Sequence, residues 1–308
     1  MSLKKLLDKF IEKVDPEWKL IHQIADKNTT KLVDAYVEAF RQLQLSIDVE
    51  WLVAVGDVRL YPQHIQWSVF EKNLDKVYKI ISSILVEAAD VTVKKLDSSS
   101  FNIRNPRAVK WAVDHVGENI RQVDAETQKA VQSIINDALK YGGNPKETAK
   151  QIQQFIGLTQ RQIASILRYQ ERLDYSGRSE AAVNSMVDSR IRRMVKERAL
   201  TIARTETIAA ACGGQQLHWE DMLDKGFIKR EELVKTWITT PDDKLCPSCS
   251  AMNGQITEID AVFGFGGKTP PLHPKCRCAI GLVERPGYEL STYQNRDWSK
   301  IDSLIGGK

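Results

Sequence analysis

Long apolar runs are missing from these 308 residues. The longest uninterrupted stretches are only a few residues, far short of the roughly 18–20 that span a bilayer, so no membrane segment is expected. The opening Met-Ser-Leu-Lys-Lys-Leu-Leu-Asp-Lys-Phe alternates charge with apolar groups and lacks both an unbroken apolar core and a small-residue cleavage site. It does not resemble a secretory signal, and a reducing cytoplasm is the expected folding compartment. Catalytic fingerprints are missing too. There is no complete GxxxxGK(S/T) phosphate loop, no HExxH and no nucleophile elbow. Gly267-Lys268-Thr269 matches the end of a phosphate loop, but Val262 stands where the first glycine belongs and Pro270-Pro271 follow where the helix should run. No repeat of fixed period is present, which argues against a solenoid. An excess of one charge sign is also lacking: 44 basic against 40 acidic residues leave +4, which permits contact with nucleic acid without demanding it.

Cysteine and histidine are scarce, with five of each, and their placement is therefore informative. Four cysteines and one histidine fall between Cys246 and Cys278, as Cys246-Pro-Ser-Cys249 and then His273-Pro-Lys-Cys276-Arg-Cys278. Ordinary buried thiols would scatter along helices instead of pairing. A redox CxxC would need a βαβ setting, and what precedes it reads as helix with one strand. Thiolates and imidazole are the donors of tetrahedral zinc, and a CxxC turn brings two sulfurs to one point. Cys276 and Cys278 share a face if their segment is extended, and His273 joins them only if His-Pro-Lys-Cys turns. Five donors compete for four places, and spacing does not name the excluded one. A catalytic zinc would need an open position and a base, for which Asp243, Glu258 and Asp260 are candidates. Five soft donors point instead to a closed, structural zinc.

Along the chain, apolar residues recur at intervals of three and four over 1–60 (Leu20, Ile21, Ile24, Leu32, Val33, Tyr36), again from about Val69 to Ala89, and from Pro106 to Tyr141. Val91 to Phe101, β-branched and followed by serines, reads as a short strand or irregular link. Asn144-Pro145-Lys146-Glu147 places a cap, a proline at the first helical position and a glutamate three residues on, predicting a helix over 145–156. Thr159 caps the next helix, through about Leu173. Residues 178–211 continue helically, and Gly213-Gly214 are expected to interrupt them. Lys235 to Thr240 has strand composition, and Pro241-Asp242-Asp243 is turn chemistry. The fold class is therefore mainly α: a helical N-terminal region over 1–143, a helical central region over 144–230, a small α+β zinc-binding module over 231–287 and an extended tail over 288–308.

Trp237-Ile-Thr-Thr, Asp243, the CxxC pair, Asn253-Gly254 and Pro270-Pro271-Leu-His273-Pro274-x-Cys276-Arg277-Cys278 resemble the signature of the Mu F-like minor head proteins of tailed bacteriophages, the phage head morphogenesis family. Ile202-Ala-Arg204-Thr205-Glu206-Thr207 looks like that family's second hallmark. The resemblance covers about residues 160–283. It implies a non-enzymatic virion component inside the head near the portal, assembled in the host cytoplasm. The partners it implies are the portal protein, double-stranded DNA bound without sequence preference, and scaffold or major capsid protein. Arg204 and Glu206, roughly 200° apart on a helix, are either solvated charges or a buried polar contact docking the helices onto the zinc module, and the resemblance favours the second. Arg190, Arg192, Arg193, Lys196 and Arg198 are the DNA-contact candidates, unless they are a solvated face balanced by Asp188, Glu197 and Glu206. The alternative function is a metal-dependent enzyme acting on nucleic acid or protein. Relatives with transferase or peptidase activity carry it in fused domains after the shared region, where only about 25 residues stand here. A zinc-containing transcription regulator is disfavoured, because the glycines and prolines between 264 and 274 forbid a groove-entering helix.

Overall fold

The computed structural model describes residues 3–95, 106–240 and 245–286. In chain order they form α1 (Leu3–Leu45), α2 (Val49–Val55), α3 (Tyr61–His64), α4 (Trp67–Asn73), α5 (Asp75–Lys95), α6 (Pro106–Tyr141), α7 (Pro145–Phe155), α8 (Gln160–Asp174), α9 (Glu180–Asp224), β1 (Leu233–Ile238), α10 (Pro247–Met252), β2 (Ile256–Thr257) and β3 (Ala279–Glu284). The fold is mainly α with one small sheet, as expected. No helix among the described residues is long and apolar enough to cross a membrane. The expected tail over 288–308 and the turn at Pro241-Asp242-Asp243 lie outside the described residues, as do residues 96–101 of the expected link.

The chain divides into two compact units. One unit combines residues 28–81 with 111–203. Its helix boundaries follow local chemistry. The Asn144 side chain accepts the Lys146 N–H, with Pro145 in the first turn, so α7 starts where its cap dictates. Thr159 and Gln162 form a reciprocal capping box at the start of α8. Gly157, at φ +84°, brings the α7–α8 turn against Phe40, where a Cβ would lie 2.8 Å from the ring. Phe40 also stacks on Phe70, with centroids 5.4 Å apart, and the Gln153 amide reaches the Ile47 carbonyl at 3.2 Å.

The other unit combines residues 1–27, 82–110 and 204–308. Its centre is the C-terminal half of α9, where residues 206–219 are buried without interruption. A helix buried on every face needs small side chains wherever a neighbour comes close, and Ala209-Ala210-Ala211-Cys212-Gly213-Gly214 supplies them. The expected break at Gly213-Gly214 does not occur: α9 runs 45 residues through both glycines. A Cβ on Gly214 would meet the Leu85 carbonyl oxygen at 2.2 Å, so the glycine serves close approach of α5. Residues 91–95, read as strand or link, instead complete α5. The sheet order is β2-β1-β3, all antiparallel, with Lys235 opposite Thr257 and Leu282 and Trp237 opposite Ile280. Trp237 packs edge-on to Phe263 and Phe265. The buried Lys235 ammonium donates to Gln216 Oε1 and to the Lys268 carbonyl, both at 3.0 Å, which ties the central strand to α9.

Candidate metal centre

Cys246 is both the first donor and the N-cap of α10: its Sγ accepts the Cys249 N–H at 3.3 Å, and Pro247 follows in the first turn. Six residues of helix within the CxxC itself suffice to aim Cys249 inward, 3 % exposed. The second half turns as His273 requires. Cys276 N–H bonds to the His273 carbonyl at 3.0 Å, and Lys275 takes φ 63°, a left-handed position rare for a non-glycine residue. The Pro274 carbonyl can only accept, so the 2.8 Å contact makes His273 Nδ1 the protonated nitrogen and leaves the Nε2 lone pair for a ligand.

That lone pair lies 3.1 Å from the sulfurs of both Cys246 and Cys249, while Cys249 Sγ lies 3.8 Å from Cys276 Sγ. The five donors form two triads, Cys246–Cys249–His273 and Cys249–Cys276–Cys278, that share Cys249. All five expected residues are therefore brought together. Bonds of about 2.3 Å to sulfur give a tetrahedral edge of about 3.8 Å, which the Cys249–Cys276 separation matches. The donor set fits one thiophilic ion, and these groups can hold a metal. Among themselves the thiols divide their charge. The Cys249 N–H draws the Cys246 thiol down, whereas burial pushes Cys249 up to about 12. A hydrogen bond from Cys278 holds Cys276 at about 5, and the same contact drives Cys278 up. Burial lowers His273, but the Pro274 carbonyl and the Cys246 sulfur outweigh it and raise it on balance. A dication would hold all of these thiols as thiolates. Cys212, buried on α9, stands outside both triads. Glu258 pairs with Arg285 at 2.6 Å and Asp260 with Arg230, and neither carboxylate joins the donor groups; Asp243 lies outside the described residues.

The family model described as Phage Mu protein F like protein matches residues 129–281, about half of the chain and all five donors. This chain belongs to that family. Membership makes it a phage head morphogenesis protein. Comparison with curated proteins and with solved structures found no match.

Within the family match, the second hallmark meets the loop between His273 and Cys276 through Thr205. Arg204 is exposed on α9 and Glu206 is buried. Between them, Thr205 Oγ1 accepts the Lys275 N–H at 3.1 Å and steadies the left-handed turn between His273 and Cys276. The DNA candidates separate in the same way. Arg192, Arg193 and Lys196 are exposed, and helical spacing places them within about 100° of arc. Arg190 is half-buried, its guanidinium 4.5 Å from the centre of the Tyr169 ring. Arg198 is corrected outright: it is buried, bonded to Glu126 at 2.8 Å and set over Phe40, so it belongs to the helical core. Burial lowers its pKa despite Glu126.

Sequence reasoning missed a clamp upstream of the match. The Arg277 carbonyl, between Cys276 and Cys278, receives the Trp18 indole N–H at 3.0 Å, the Thr240 hydroxyl at 2.9 Å and His22 Nε2 at 3.0 Å. The acceptor is a carbonyl, so Nε2 carries the proton, and burial lowers the His22 pKa. Trp18 and His22, one helical turn apart, stack at 4.0 Å. Trp18→Phe keeps the ring but removes one donor. It is expected to destabilise the protein by about 1 kcal/mol and to weaken metal retention roughly 10-fold, measured by competition with a chromogenic chelator.

Proposed function

We propose that this protein is a minor head component of the virion that binds the portal vertex in the procapsid and contacts genomic DNA as it enters or leaves. We assign residues 231–287 to a module closed by one structural zinc, with Cys246, Cys249, His273, Cys276 and Cys278 as its donors. The DNA-facing reading rests on one observation, the exposed stripe of Arg192, Arg193 and Lys196 on α9. Three cations on one turn and a half of helix neutralise phosphates without reading base edges, which suits DNA of any sequence passing a portal. Glu197 flanks the stripe, and Arg204 lies further along the same helix. Assembly in the host cytoplasm and residence in the head follow from this reading.

The triple variant R192E/R193E/K196E is expected to keep its melting temperature and lose most affinity for random-sequence duplex DNA. Each phosphate contact adds roughly 0.9 to the slope of log affinity against log salt, so the slope should flatten by about 3. An unchanged slope would remove α9 from the DNA path. Co-purification with the portal, and entry of the tagged protein into procapsids in infected cells, test the assembly role; failure to enter procapsids would sink it.

A further inference from the structure

A groove of about 470 Å³ lies among α6, α7 and α8, wholly within the unit that carries residues 111–203. Its walls are held by a tight turn and by a hydrogen bond between helices. Gly142 takes φ +71°, and Gly143 N–H bonds to the Ala138 carbonyl at 2.7 Å, folding the turn tightly onto α6. Gln160 reaches Ser133 at 3.1 Å and joins α8 to α6 beside the groove. Ile134, Phe155 and Ile163 supply a buried apolar lining, and Leu167 adds an edge that is 38 % exposed. On α6 the stripe from Ile134 to Ala138 continues at helical spacing to Tyr141, which is 74 % exposed.

The charged lining has one sign. Asp137 and Glu147 are both exposed, neither has an ion-pair partner among the described residues, and no cation lines the groove. Ser133, Asn144, Thr148, Gln151 and Gln160 complete the walls, so the trough has an apolar floor, neutral polar sides and two carboxylates at its rim; it repels phosphate and suits a segment whose apolar side chains are flanked by lysine or arginine. We propose that this groove is a docking site for a basic amphipathic segment of a partner protein. The groove shares no residue with the metal donors or with the exposed basic stripe, so it stands whether or not that stripe meets DNA.

Two short fluorescein-labelled peptides with the same leucine stripe, one flanked by lysine and one by glutamate, test it by anisotropy on the full chain. Wild type should bind the lysine peptide at least about tenfold more tightly. D137K/E147K should reverse that preference. Ala164→Trp fills the groove and should abolish binding, and the milder Leu167→Arg should do so if the tryptophan variant fails to fold. Equal affinity of wild type for the two peptides, binding by neither, or binding that survives both groove variants overturns the proposal. Self-association lost in the same variants, seen by sedimentation, would make a second copy the occupant and overturn it as well.

Discussion

Replacing Cys249 with serine is expected to abolish stoichiometric metal binding and to unfold residues 233–286. Cys249 is the one donor common to both triads, its sulfur 3.1 Å from His273 Nε2 and 3.8 Å from Cys276 Sγ. Losing Cys246 or Cys278 leaves one triad intact; losing Cys249 breaks both and leaves the other four donors as two pairs. Its regular elements are short: strands of six, two and six residues and one helix of six. Apparent metal-binding energies of roughly 10–16 kcal/mol in small zinc modules are comparable to the 5–15 kcal/mol of a whole domain, so a zinc bound here would contribute a large share of this region's stability. Elemental analysis of reduced protein should fall from about one equivalent of zinc to under half, whereas Cys246→Ser and Cys278→Ser retain more. Hydrogen exchange should rise across β1 and β3 while α7 and α8 stay protected. A full equivalent of zinc in Cys249→Ser would overturn its place at the centre of the site.

The donors were legible because five soft ligands lie within 33 residues, and spacing survives without knowledge of the fold. The starts of α7 and α8 were legible for a similar reason, since a cap and its helix are neighbours in sequence. Contacts that cross the chain were not. Thr205 and Lys275 are 70 residues apart, and Trp18 and Arg277 are 259 apart. Nothing local marks a threonine hydroxyl or an indole as the partner of a metal loop. Arg198 misled because arginine is almost never buried unless paired, and its pair, Glu126, lies 72 residues upstream. Residues 91–95 misled because β-branched composition is a weak preference that helix continuation overrides.

Gly214→Ala carries the same lesson with its sign reversed. Intrinsic propensity favours the substitution, since alanine in a helix interior is worth about 1 kcal/mol over glycine. Packing opposes it. The new Cβ would sit 2.2 Å from the Leu85 carbonyl oxygen, 3.0 Å from its carbon and 3.2 Å from Ala88 Cβ. The first two are backbone atoms of α5, which no rotamer change can move aside, so α5 and α9 must separate along a stretch where α9 is buried on every side. Overpacking of this kind costs typically about 1–3 kcal/mol and sometimes more, and a contact this short belongs at the upper end. A net loss of about 2 kcal/mol is therefore expected in denaturant unfolding, with zinc still near one equivalent in the folded protein. That combination separates helix packing from the metal: Cys249→Ser loses both the ion and the module, whereas Gly214→Ala keeps the ion and loosens the helix pair. A stabilised Gly214→Ala would mean that the two helices do not approach this closely, and that the glycines of α9 lack the packing role assigned to them.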